Sequence, residues 1–289
     1  MKKNYSKEIG IFLRGLLMGA CDIIPGVSGG TIALITGIYE RLINAIGSIS
    51  PRIVLSTLRL DKKAFIEDLK QMDIGFLIVL VCGIGTAFAL MARIITYLMH
   101  DFPQVMYAFF FGLILASSLY LFRDMQEKGY KQVLACIIGF ALGFWLVGFR
   151  TFEIGHSLPI IFLTGMAALC AMILPGISGA YITLLLGQYE HMLTAIHNFA
   201  IEEIVTFCAG GIVGLLAFTR VLKYVLSRYH AMVLAGLIGL MLGTSRLLYI
   251  EVTKAGGFNM WAILAAIIGI GVIALIAYLV HKHEATETH

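Results

Sequence analysis

The sequence predicts an all-α polytopic membrane protein made of two inverted-topology repeats, each a re-entrant helical hairpin followed by three transmembrane helices. Three observations carry this prediction. Of the 289 residues, 60% are hydrophobic and only 13% are charged, with a mean hydropathy of +0.92. That balance excludes a soluble globular domain. The stretch "PGVSGGTIALITGIYERLINAI" (25–46) returns as "PGISGAYITLLLGQYEHMLTAI" (175–196), with 11 of 22 positions identical. Lys and Arg also fall almost entirely on one side of the membrane once spans are drawn.

The first hairpin has arms over 10–24 and 27–47. The first arm is too short to cross the bilayer at about 1.5 Å per residue. Pro25, Gly26, Gly29 and Gly30 reverse the chain between the arms. Pro175, Gly176 and Gly179 repeat the break 150 residues later. Gly15 and Gly165 match upstream; Gly37, Tyr39 and Glu40 match Gly187, Tyr189 and Glu190 downstream. Further on, the offset becomes 127, pairing Arg93 with Arg220, Tyr97 with Tyr224, Gly112 with Gly239 and Ser118 with Ser245. The change reflects an insert of roughly 51–73, whose alternating apolar and basic residues predict an interfacial helix on the inner leaflet.

Full spans are expected near 74–99, 103–122, 131–149, 201–226, 230–250 and 259–280. Cytoplasmic segments then hold Lys2, Lys3, Lys7, Arg52, Arg59, Lys62, Lys63, Lys70, Arg123, Lys128, Lys131, Lys223, Arg228 and Lys282. Outer loops hold only Arg150, Arg246 and Lys254. Spanning hairpins would place the basic insert and the 123–131 loop outside, against the positive-inside rule. Both termini are therefore expected in the cytoplasm, with the chain in the plasma membrane. Three spans per repeat turn the second repeat upside down. The whole chain, 1–289, reads as one membrane domain, with repeat 1 over 9–150 and repeat 2 over 158–281.

No small-residue cleavage site ends a simple apolar run near the start, so no cleavable signal peptide is expected. Cys21, Cys82, Cys136, Cys170 and Cys208 lie in apolar segments without a CxxC pair and read as core residues. No metal site or cofactor is called for, and the net charge of +4 does not mark a nucleic-acid partner.

Irregular backbone at membrane depth persists only where protein buries it or where it lines a cavity. Ser28 is a natural helix N-cap after the first turn, as Ser178 is after the second. The N–H groups and dipole ends there favour an anion, phosphate above all. Thr31 and Tyr181 add hydroxyls. Arg14, Arg93 and Arg220 are candidate headgroup contacts, or else they snorkel to the interface. Asp22, deep in apolar sequence, needs a proton or a cation. Together with Glu40 and Glu190 it is a candidate for proton coupling.

The run "GLLMGACDIIPGVSGGTIALITGIYERLI" resembles the polyprenyl-phosphate transporter (PopT) family. The match rests on Gly15 and Gly19, Asp22, Pro25–Thr31 and Gly37–Glu40, then on Pro175–Gly179 with Gly187, Tyr189 and Glu190, and it extends over essentially the whole chain. The resemblance implies a flippase that returns undecaprenyl phosphate, or a related lipid carrier, to the cytoplasmic leaflet for cell-wall synthesis. Alternating access around the two turns is the expected mechanism. Two alternatives stand beside it. Undecaprenyl-pyrophosphate phosphatases share inverted hairpins and a PG-x-S motif, but there an Arg follows the Ser, where Gly29 and Gly179 stand here. An ion-coupled transporter of a small anion is the other.

Overall fold

The computed structural model describes residues 2–24, 26–49, 73–152 and 154–287. The predicted interfacial insert, up to residue 72, and Pro25 lie outside the described residues. Within them, all regular structure is helical. The first six helices are α1 (Lys2–Asp22), α2 (Gly29–Ile35), α3 (Tyr39–Gly47), α4 (Ile74–Asp101), α5 (Pro103–Asp124) and α6 (Tyr130–Leu146). The second six are α7 (Leu158–Ile173), α8 (Gly179–Leu185), α9 (Tyr189–His197), α10 (Ile201–Arg228), α11 (His230–Lys254) and α12 (Met260–Glu287). Five of these, α4, α5, α10, α11 and the Met260–Tyr278 part of α12, are long and apolar enough to cross a bilayer.

Three elements differ from expectation. α1 starts at Lys2 rather than near residue 10, because its polar first two turns continue the helix. α6 has 17 residues, about 25 Å of helix, and stops short of the expected 149. Arg246 explains that stop: its Nη1 donates to the Phe144 carbonyl at 2.9 Å, and its guanidinium lies over the Phe144 ring at 4.1 Å. A cation there caps the last-turn carbonyls, and Gly148 N–H closes a tighter turn on Trp145. Finally, 27–47 is not one helical arm. Gly37, with φ of +72°, separates α2 from α3. Ile38 N–H reaches back to the Ala33 carbonyl at 3.0 Å, the long bond of a Schellman stop. Gly187 (φ +67°) and the Gln188-to-Thr183 bond of 2.9 Å repeat the device.

The internal duplication extends to element boundaries. α2 and α8, and likewise α3 and α9, begin and end 150 residues apart. α4 and α10 begin and end 127 residues apart. Close contacts repeat as well. Gly15 meets the Leu80 carbonyl as Gly165 meets that of Phe207, and Gly83 meets the Phe12 carbonyl as Gly210 meets that of Phe162. A Cβ at any of these glycines would strike backbone, so α1 on α4 and α7 on α10 are close-packed through small residues.

The chain divides into two compact units, and neither is one repeat. The first takes Met1–Met91, Arg150–Leu174 and Ser178–Arg228; the second takes Ala92–Phe149, Pro175–Ile177 and Tyr229–His289. Within the second unit the repeats exchange helices: α5 packs on α12, and α11 packs on α6. Gly112 lies against the Ala266 carbonyl and Gly239 against that of Cys136, the same contact in both pairs. Ala108, Val252, Ala262 and Ala265 form a buried cluster in this unit.

Gly165→Val and Gly239→Val are each expected to destabilise the protein by about 1–3 kcal/mol through overpacking. Gly271→Ala, where nothing lies within 4 Å of the added carbon, is expected to cost nothing. Unfolding midpoints in one detergent test this, and equal shifts for all three variants would contradict the packing described.

Candidate functional site

The first turn lies in the first compact unit. α1 ends at Asp22, and two short turns, Ile24 N–H to Cys21 and Val27 N–H to Ile24, carry the chain to Ser28. Gly26 takes φ of +88° there, a conformation that glycine adopts at little cost. Ser28 is extended (φ −125°, ψ 132°) and caps α2, as its sequence position predicts. Its fully buried side chain accepts the Gly30 N–H at 3.1 Å. The same Oγ lies 3.2 Å from the Leu174 carbonyl and 3.3 Å from that of Met172. With a single proton, it donates to one of these at a time. It thereby ties the first turn to the end of α7.

Asp22 completes this turn. Its Oδ1 accepts the Gly29 N–H at 2.7 Å, and a Cβ on Gly29 would stand 2.5 Å from Oδ2. A Cβ on Gly30 would stand 2.6 Å from the Ile173 carbonyl. Both glycines are thus dictated by close approach. The first two amides of α2 are taken by the chain's own oxygens, and a carboxylate sits where the helix dipole favours an anion. Among the described residues, no basic side chain pairs with Asp22.

The second turn repeats the shape without the charge. Pro175, Gly176, Ser178 and Gly179 are buried. In the second unit, Gly176 has φ of +86° and lies against Met241 and Thr244 of α11. In the first unit, Ser178 is extended but makes no side-chain cap bond. Met172 stands where Asp22 stands in the first repeat, and its Cγ is 2.6 Å from a Cβ placed on Gly179. Thr31 is buried in α2, and Tyr181 is half-buried in α8.

Not every predicted site residue gathers at the turns. Arg220 donates to the Ile49 carbonyl at 2.5 Å, at the far end of α3, where Lys223 Nζ also reaches Ser48 Oγ at 2.8 Å. Arg93 is exposed on α4, and Arg14 is half-buried on α1. Glu40 and Glu190 stand in the first turns of α3 and α9, where an acidic residue complements the dipole. Each lines a cavity at the Gly37 or Gly187 break. The first, of about 560 Å³, is lined by Gly37, Glu40, Arg41, Asn44, Ala45, Ser48 and Asp73. The second, of about 580 Å³, includes Thr151, His156, Gly187, Tyr189 and Glu190.

Further polar contacts lie at these cavities or beside them. Arg41 Nε donates to Asp73 at 2.6 Å, and its guanidinium lies 4.3 Å from the Phe76 ring centroid. The Arg41 hydrogen bond holds the Asp73 carboxyl below the usual carboxylate range. The pair is therefore intact above that range and is lost only as pH falls through the lowered value. His191, the repeat counterpart of Arg41, lies 3.0 Å from Glu203 and stacks on His156 at 4.1 Å. Gln188 accepts from His156 Nδ1 at 3.0 Å while its amide donates to the Gly155 carbonyl at 2.5 Å. The signal available in sequence was the basic residue after each Tyr-Glu pair.

Comparison with known proteins adds the following. The undecaprenyl phosphate translocase-like family matches residues 18–259. A polyprenyl-phosphate transporter of Vibrio cholerae serotype O1 is 39% identical over 234 residues, 81% of this chain and 75% of that protein. A polyprenyl-phosphate transporter of Staphylococcus aureus is 30% identical over 252 residues, 80% of this chain and 83% of its own. No solved structure matches.

Ser28→Ala strands the Gly30 N–H and is expected to cost about 1–3 kcal/mol. Ser178→Ala, which removes no cap bond, should cost clearly less. Denaturant unfolding of both variants decides, and equal losses would refute the difference between the turns.

Proposed function

The chain belongs to the undecaprenyl phosphate translocase-like family, and from that premise we propose that it carries a polyprenyl phosphate, undecaprenyl phosphate or a near relative, between the leaflets of the plasma membrane. It does so as a lipid transporter and not as an enzyme. The direction we assign is return of the spent carrier to the cytoplasmic leaflet, in the service of cell-wall synthesis. The observation that carries this reading is a polar break, buried in apolar sequence, that recurs in both repeats at Ser28 and Ser178.

The pairs α1–α2 and α7–α8 are read as re-entrant hairpins entering from opposite faces, with both termini cytoplasmic. Support comes from the repeated element boundaries, from the three helices that follow α3 and α9 in turn among the described residues, α4–α6 and α10–α12, and from the placement of Lys and Arg. Inverted repeats of this kind rock around a central site. The headgroup is assigned to the second turn, Ser178–Tyr181, in preference to the first. Asp22 already occupies the Gly29 amide, and a phosphate there would meet a like charge; Met172 presents none. Arginine charge from Arg14, Arg93 and Arg220 assists entry and exit, and the isoprenoid tail stays in lipid. Asp22, Glu40 and Glu190 remain the candidates for proton or cation coupling.

The test uses sealed liposomes with a fluorescent short-chain polyprenyl phosphate. Wild-type protein is expected to expose the headgroup to the far leaflet far faster than protein-free vesicles. Gly179→Leu, whose side chain would collide with Met172 and the Ala168 carbonyl, is expected to stop exchange while the protein stays folded. Absence of exchange by wild type, with and without a proton gradient, would overturn the reading. Unimpaired exchange by Gly179→Leu would remove the headgroup from the second turn.

A further inference from the structure

We propose that the cavity at the Gly37 break is a second phosphate-binding station, with Arg41 as its principal contact and Asn44 and Ser48 around it. The proposal rests on the translocation reading, because it takes the same headgroup at the Lys- and Arg-rich end of the first unit.

Arg41 is held as a binding arginine would be. Nε is engaged by Asp73 at 2.6 Å, and the Phe76 ring lies under the guanidinium plane at 4.3 Å. These two contacts fix the plane of the fork. Among the described residues, neither Nη nitrogen of Arg41 has a recorded hydrogen bond. Two parallel N–H donors on a fixed plane are the geometry that grips two phosphate oxygens.

The surrounding charge points the same way. Arg14 is half-buried and stands close enough to Arg41 for the two charges to repel. Among the described residues, Arg14 has no hydrogen-bond or ion-pair partner. Lys223 meets Ser48 at 2.8 Å and Arg220 meets the next carbonyl, Ile49, so two more cations gather at this end of α3. Among the described residues, the carboxylates that line the cavity are those of Glu40 and Asp73. The cavity, about 560 Å³, has ample room for a phosphate group. A phosphate dianion would relieve the Arg14–Arg41 repulsion. Its source is either the lipid headgroup or free phosphate, and binding data separate the two.

A purely structural role for the Arg41–Asp73 pair predicts a different mutational pattern. If the pair only braces α3 against α4, then Arg41→Gln and Asp73→Asn are equivalent. If Arg41 binds phosphate, Asp73→Asn removes a competing anion and should leave binding unchanged or tighter. Arg41→Gln should weaken it ~10- to 100-fold, the scale of lost charged hydrogen bonds. Arg41→Lys, which keeps charge but loses the fork, should fall between.

The experiment titrates short-chain polyprenyl phosphate, the matching polyprenol and inorganic phosphate into the full chain in zwitterionic nanodiscs, using variants first shown to be monodisperse. Selective loss in Arg41→Gln, retention in Asp73→Asn and weak binding of polyprenol support the station. Equal losses in Arg41→Gln and Asp73→Asn overturn it, as does unaltered binding in Arg41→Gln. Inorganic phosphate binding as tightly as the lipid, with the same Arg41 dependence, overturns the headgroup assignment in favour of free phosphate. Wild type that binds lipid through Arg41 but never moves it across liposomes refutes transport and leaves the station. Wild type that transports while Arg41→Gln binds normally refutes the station alone.

Discussion

A buried backbone N–H or C=O must find a hydrogen-bond partner, and the two interrupted segments of this chain are organised around that demand. In the first, the helix ends at Asp22, and two short backbone turns recover part of what is lost. Ser28 supplies the rest by serving two helices at once, capping α2 and touching the carbonyls that end α7. The break is therefore an organised junction between the two halves of the sequence within the first compact unit. Remove the glycines beside it and the junction cannot close, because Asp22 and Ile173 already occupy the space that side chains would need.

A second consequence concerns symmetry. Duplication copied the backbone more faithfully than the chemistry. The Gly15–Leu80 and Gly165–Phe207 approaches agree, as do the Schellman stops at Gly37 and Gly187. At the turns, however, Asp22 faces Gly29 while Met172 faces Gly179. Near the start of α3 and α9, Arg41 is matched by His191. Arg41 and Asp73 line the cavity at Gly37 as an ion pair, whereas the cavity at Gly187 is lined by the His156 ring, which stacks on His191.

Much of the architecture was legible in the sequence because it depends on local or repeated signals. Apolar length marked α4, α5, α10, α11 and α12, since a helix hides its own polar groups and needs no partner to do so. The paired PG-x-SG words located the turns, and Ser28 was recognisable as a cap from its place before Gly29. The stop at Gly37 is marked in sequence only by a matched glycine, and a lone glycine is tolerated in many helices, so spacing alone does not separate α2 from α3. The early end of α6 depends on Arg246, a residue about a hundred positions away, and no local pattern announces it.

What the sequence determined by itself, then, is the membrane class, the duplication, the positions of the turns and the family. Each of these is set by residue type and spacing along the chain. The tertiary structure alone decided which polar groups satisfy which. It put Asp22 on the Gly29 amide, joined Ser28 to Met172 and Leu174, and drew Arg220 and Lys223 to the end of α3. It also set Arg41 against Asp73 and Phe76. These are choices among many chemically equivalent partners. Only the approach of distant backbone segments, allowed by glycine and fixed by close packing, selects one of them.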